Sequence, residues 1–101
     1  MADLTELEKV GDNVIKVTGL LDVTTVAHTR DAGIRLIDEI DAPQVDLSDA
    51  TVAGSAAVAL LIAWQRHATK TGKQIRYVHP PANLKDITRA CGVDDFIEVV
   101  S

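Results

Sequence analysis

The spacing of apolar residues along this chain alternates between a period of two and a period near 3.6, and the switches predict its elements. Leu4 to Val10 reads as a first edge strand, and Gly11-Asp12-Asn13 as a turn. Val14-Ile15-Lys16-Val17-Thr18 is rich in β-branched residues and predicts a strand that stops at Gly19, so the first two strands form a hairpin. Val26, Gly33, Leu36, Ile37 and Ile40 then recur at helical spacing, with Thr24 or Thr25 placed to cap the helix and Ala42-Pro43 to end it. Gln44 to Leu47 is a short strand that meets a Ser-Asp turn signal. Every residue from Ala56 to Trp64 is apolar, which predicts a long helix that Gly72 stops. Gln74 to Val78 alternates as a strand, and His79-Pro80-Pro81 breaks the chain. Ala82 to Cys91 forms a shorter helix with Leu84, Ile87 and Cys91 on one face, stopped at Gly92. Phe96 to Val100 is a last strand or an extended tail.

The order is β-β-α-β-α-β-α-β. Strand–helix–strand units imply parallel pairing with right-handed crossovers, hence an α/β fold in which helices cover a mixed sheet of four to five strands. Gly33 costs roughly 1 kcal/mol against Ala inside a helix, and a close approach to the sheet would account for it.

Two features of the long helix bear on function. Ser55 stands where the helix begins, beside free backbone N–H groups and the positive end of the helix dipole. Three readings of it stay open: a helix cap, a partner contact, or a phosphorylation site. The second feature is an excess of apolar surface. Ala57, Leu61, Trp64 and Ala68 share one face, flanked by Val58 and Ile62 on one side and Leu60 on the other. That arc covers roughly 200°, against the ~100° stripe one packed face requires. Two readings of the excess stay open: Leu60 and Trp64 are exposed, with Trp64 as an interface anchor, or neighbouring helices cover them.

Composition narrows the classes. The 101 residues are enough for one domain, 47% are hydrophobic and 3% aromatic, so the core is aliphatic. Net charge is −5 and the pI about 4.9. The ten Lys and Arg are scattered, which argues against nucleic acid as a partner. The acidic N-terminus lacks a signal-peptide apolar core, and the longest apolar run is far short of the ~20 residues that span a bilayer, so a cytoplasmic protein is expected, one that reaches a membrane only through another subunit.

Candidate chemistry is sparse. His28, His67 and His79 have no metal-ligand spacing with one another or with Cys91, and they read as solvated surface residues. Cys91 reads as a buried packing residue. Gly54-Ser55 lacks the flanking glycine of a nucleophile elbow, and no Gly-rich phosphate loop occurs. Neither catalysis, nor a metal, nor a cofactor is expected. Lys70, Lys73 and Arg76 form a small basic cluster that reads as a favourable charge at the end of the long helix.

Several stretches together resemble one family. Asp46-Leu47-Ser48, Val52 and Gly54-Ser55-Ala56-Ala57-Val58 resemble the STAS-domain pattern of an Asp-Leu-Ser strand end, an apolar residue, and Asp-Ser-Ser-Gly-Leu opening a helix. Gly19-Leu20-Leu21-Asp22 resembles the family's Gly-Glu-Leu-Asp turn, and Ala90 to Phe96 its closing segment. Ala59 to Ala68, with Gln74 to Tyr77 and Pro81, Ala82 and Leu84, is similar to the small STAS subunit of the Mla phospholipid-transport ABC system.

The resemblance implies one STAS domain over residues 1–101, without enzymatic activity. It implies a subunit that binds and supports the cytoplasmic ATPase of a complex maintaining outer-membrane lipid asymmetry, at the cytoplasmic face of the inner membrane. Gly54, Ser55, Ala56, Leu60 and Trp64 are the partner-binding residues on this reading. The alternative is an anti-sigma-factor antagonist switched by phosphorylation of Ser55. Gly54 stands where that pattern has an acid, Ala57 where it has Gly, and Leu20 where it has Glu, so a kinase adapted to an acidic neighbour loses it here.

Overall fold

The structure is a computed structural model that describes residues 5–93, 97, 99 and 100. The elements come in the expected order: β1 (Glu6–Lys9), β2 (Val14–Leu21), α1 (Val26–Asp38), β3 (Gln44–Val52), α2 (Ser55–Lys70), β4 (Arg76–Val78), α3 (Leu84–Ala90) and β5 (Val99–Val100). The strands make one sheet in the order β1-β2-β3-β4-β5. β1 runs antiparallel to β2, and the remaining pairs are parallel. Phe96 and Glu98, part of the expected last strand, lie outside the described residues.

Three crossovers, each carrying one helix, step the same way across the sheet. With right-handed connections this places all three helices on one face. Burial agrees. Ile15, Val17, Leu21, Val45, Leu47, Val52 and Tyr77 turn inward from the strands and join Ile37, Ala57, Leu61, Trp64, Ala68 and Leu84 from the helices in one cluster. The other face is polar, as expected of a sheet covered on one side. Lys16 and Asp49 form an ion pair across it at 2.9 Å, and the hydrogen bond that the Lys16 ammonium donates to that carboxylate holds the ammonium above its ordinary pKa.

β3 is longer than its sequence suggests. Lys16 pairs with Asp46 and Thr18 with Asp49, so β3 spends one extra residue against β2. This β-bulge shifts the phase, and the inward positions pass from Val45 and Leu47 to Ala50 and Val52. Ser48-Asp49, a turn signal to the eye, is therefore the bulge. The hinge before α2 shrinks to Ala53-Gly54. β4 and α3 are each trimmed by two or three residues against expectation, to Arg76–Val78 and Leu84–Ala90.

α2 is held on both flanks by its own side chains and its neighbours'. The Tyr77 hydroxyl donates to the Leu61 carbonyl at 2.7 Å inside the core, and burial raises the phenol well above its ordinary pKa. On the other flank, the Trp64 indole N–H donates to the Arg30 carbonyl of α1 at 3.2 Å. Gly33 makes room for that ring. A Cβ built at Gly33 would lie 2.3 to 2.4 Å from three indole atoms. The close approach expected at Gly33 is thus made to a tryptophan of α2, not to the sheet.

Leu60 and Trp64 are only 3% and 1% exposed, so of the two readings of the arc the structure shows the one in which neighbouring elements cover them. The wide apolar arc of α2 has more than one neighbour: Ala57, Leu61 and Ala68 join the core cluster together with the inward residues of the strands, and α1 receives Trp64. A ~100° stripe suffices for one packed surface, and α2 packs on two.

Candidate functional site

The start of α2 is built by the strand that precedes it. β3 ends at Val52 beside the end of β2, and Ala53 donates its N–H to the Leu21 carbonyl at 3.0 Å. The Asn83 amide donates to the Val52 carbonyl at 3.0 Å and ties the segment before α3 to the same strand end. The turn must come immediately after, and Gly54 makes it with φ 79° and ψ −177°. An L-residue rarely adopts that conformation. The acid that the family pattern carries at this place would therefore be strained on this backbone.

Gly54, not Ser55, is the N-cap. Ser55 is the first helical residue and is exposed, and its hydroxyl has no hydrogen-bond partner among the described residues. The capping role considered for Ser55 is not what the structure shows. No side chain caps this end, and the first turn carries no acid. Its first backbone N–H groups lack intrahelical partners and face outward with the positive end of the dipole. Ala56, one position on, is half-buried.

The turn before α1 lies at the same edge of the sheet, because Leu21 pairs with Val52. Here the polar groups satisfy one another. Asp22 Oδ1 accepts from the Thr24 N–H at 2.8 Å and from the Thr24 hydroxyl at 2.6 Å. These bonds, the hydroxyl's first, hold the Asp22 carboxyl below its ordinary pKa. Thr25 occupies the N-cap of α1, yet its hydroxyl turns away from the helix: it accepts from the Asp22 N–H at 3.1 Å and donates to the Leu20 carbonyl at 2.9 Å.

Three other expectations change. Cys91 is exposed rather than buried. His67 is not a free surface residue, since its Nε2 lies 2.6 Å from Asp38 Oδ1 and links α2 to α1; His28 and His79 are exposed as expected. Lys73 belongs to α1 rather than α2. Its ammonium donates to the Ile37 and Asp38 carbonyls at 2.7 and 3.0 Å, at the C-terminal end of α1.

One feature was missed by the sequence reading. An open groove of about 280 Å³ runs between the outer flanks of α1 and α2, lined by Val26, Ala27, Ala56, Ala59, Leu60 and Ala63, with Arg30 beside them. It continues past Arg30 toward Ile34, Ile62, Asp31 and Arg66. Its signal in the sequence is the set of α2 alanines outside the core face, Ala56, Ala59 and Ala63. The parallel strand order never reverses, so the sheet opens no crevice of the kind that holds a dinucleotide. No group of three His, Cys, Asp or Glu able to hold a metal occurs among the described residues, and none of their helices is long and apolar enough to cross a membrane.

Comparison with known proteins bears on this geometry. A family model described as "Mlab, STAS domain" matches residues 5–100. A search of curated proteins found no match. Among solved structures, the anti-sigma-factor antagonist SpoIIAA in its unphosphorylated form superposes with a TM-score of 0.71 at 15% identity, over 96% of this chain and 88% of that one. The phosphorylated form of the same Bacillus determinant gives 0.68 at 15% identity, over 96% and 91%. An anti-sigma-factor antagonist from Mycobacterium paratuberculosis gives 0.74 at 22% identity, over 94% and 82%. At these identities the structural likeness speaks for the fold alone. It is the STAS fold expected from the motifs, and the family match over nearly the whole sequence makes the assignment: the chain belongs to the STAS-domain family, in the group described as Mlab.

Proposed function

We propose that this protein is a non-catalytic STAS subunit that binds and supports the cytoplasmic ATPase of an Mla-type phospholipid-transport ABC complex. The observation that carries this reading is the family match over residues 5–100, whose description is Mlab. The geometry supports it. The start of α2 presents Gly54, Ser55 and Ala56 at the surface without a cap, a surface suited to contact rather than to chemistry. Trp64, buried in the free subunit, acts by fixing α2 against α1 rather than by touching the partner. The subunit then works at the cytoplasmic face of the inner membrane through its complex, which maintains outer-membrane lipid asymmetry. A bound subunit biases an ATPase only by binding its conformational states unequally, so the mechanism is allosteric support.

The second reading is an anti-sigma-factor antagonist with Ser55 as a phosphorylation switch. It is favoured by the Bacillus neighbour, whose structures include a phosphorylated form, and by the exposed position of Ser55. A phosphate adds about −1.5 to −2 charges, and at a helix N-terminus it would not unfold the domain. Gly54, in a conformation that disfavours the acidic neighbour, weighs against it.

Purification of the tagged chain from its own cells separates the two. Co-purification of an ABC ATPase with its membrane permease is expected. Recovery instead of a serine kinase, with phosphate on Ser55 by mass spectrometry, would replace the first reading by the second.

A further inference from the structure

We infer that the groove between α1 and α2 is a second docking surface, and that its occupant is an acidic amphipathic helix of the partner protein. The inference rests on the reading that α2 faces a partner, and it names what that partner must present. The groove has two basins separated by Arg30. One is lined by Val26, Ala27, Ala56 and Leu60, the other by Ile34 and Ile62, and Ala59 and Ala63 line both. The second basin repeats the first three residues on along α2 and four residues on along α1, about 4.5 to 6 Å along a helix, which is the separation of apolar anchors at i and i+3 or i+4 on a docked helix. The alanine floor lets a third helix approach at the short end of the usual 8–10 Å interaxial range.

Charge selects the occupant. The chain as a whole carries −5, yet the charged lining of this groove is Arg30 and Arg66 against Asp31. Arg30 meets Asp31 only at 3.6 Å, with both side chains more than half exposed. Such a pair is worth little, and Arg30 keeps its capacity to bind a carboxylate in a fork. A partner helix with large apolar residues at i and i+3 or i+4 and acidic residues beside them meets all three features: two basins, a small floor, and arginines at the divide and the rim. A second copy of this chain does not fit, because its α2 is apolar along the stretch that would have to supply the acids and α1 is already packed against it.

The test is photocross-linking in the protein's own cells. p-Benzoylphenylalanine replaces Asp31 at the groove rim in one variant and Ser55 in another, and the cross-linked peptides are sequenced. The Asp31 probe is expected to capture a peptide with apolar residues three or four apart and acidic residues beside them. Capture is expected to fall about tenfold with Arg30→Glu plus Arg66→Glu, as for loss of an arginine anchor, and also with Ala59→Glu. Far-ultraviolet circular dichroism and thermal melting confirm that each variant folds. The two positions separate this inference from the ATPase reading. If the Ser55 probe captures the ATPase and the Asp31 probe captures nothing, the groove proposal fails and the ATPase reading stands. If the Asp31 probe captures an acidic helix of a protein other than an ATPase, the groove stands and the ATPase reading fails. Capture of a second copy of this chain, of a peptide without acids, or of nothing at either position overturns the groove proposal.

Discussion

The two ends of α2 are built on opposite principles. At the C-terminal end the last turn is closed. Gly72 donates to the Thr69 carbonyl and Lys73 to the Ala68 carbonyl, the pairing of a Schellman motif, and the Thr71 hydroxyl lies within hydrogen-bond distance of the His67 and Ala68 carbonyls. The same segment reaches across to α1 through His67 and Lys73. At the N-terminal end Gly54 turns the chain with no side-chain cap, and Ser55 is exposed. A capping side chain is worth about 1 kcal/mol, so leaving one end uncapped while the other is closed concentrates stability where α2 meets α1. The difference teaches where each kind of substitution acts. Changes toward the closed end alter stability, and changes at the open end alter what the surface binds.

The largest test of that division is Trp64→Ala. Trp64 is fully buried and donates a hydrogen bond to α1, so truncation is expected to cost about 3–5 kcal/mol in chemical denaturation. Any lost partner binding should follow the lost fold. A variant that melts like the parent yet binds poorly would return Trp64 to the surface. Gly33→Ala comes next. The added methyl gains roughly 1 kcal/mol in helix propensity, but it meets a rigid indole at 2.3 Å and its overpacking costs about 1–3 kcal/mol. Net destabilisation is expected, and it should shrink when Trp64 is replaced by Leu. If the two substitutions add independently in a double-mutant cycle, the ring and the glycine do not share their space.

Lys73→Met is expected to cost about 1 kcal/mol by removing a charged donor from two carbonyls at the end of α1. The methionine keeps the aliphatic stem, so the loss reports the ammonium. Urea midpoints at low and high salt sharpen the result, since the half-exposed group should matter less as salt rises. Equal midpoints for variant and parent at low salt would mean that α1 needs no such cap.

The sequence reading succeeded where period and punctuation agree. The hairpin, the three helices and the glycine stops of the last two follow from apolar spacing and turn residues, and the element order follows from them. It failed where tertiary contacts decide. Ser48-Asp49 looks like a turn because alternation breaks there, but a bulge breaks alternation without ending a strand. Leu60 and Trp64 look like excess surface because one helix shows only its own arc, and nothing local says that a second helix lies alongside. Lys73 looks like a charge at the end of α2 because the carbonyls it serves are 35 and 36 residues away. The candidate site divides in the same way. The exposed start of α2 was readable from its motif, whereas the groove arises only when α1 and α2 are set side by side.

The smallest effect on stability belongs to Ser55, and there the open end can be tested by itself. Ser55→Ala removes a hydroxyl with no hydrogen-bond partner among the described residues, so the melting curve should move within about 0.5 kcal/mol of the parent's. Ser55→Asp places a negative charge in the first turn of a helix without acids there, which favours the folded state by about 0.3–1 kcal/mol at low salt. Stability alone therefore predicts two well-folded proteins, with the Asp variant marginally firmer. Affinity should separate them, because Ser55→Asp adds a charge at the proposed contact surface and Ser55→Ala only removes a hydroxyl there. If the two variants bind the co-purified partner equally, the start of α2 lies outside the interface, and the open end is only an uncapped helix. If the Ala variant melts more than 1 kcal/mol below the parent, the Ser55 hydroxyl does cap the helix, and the contrast between the two ends of α2 dissolves.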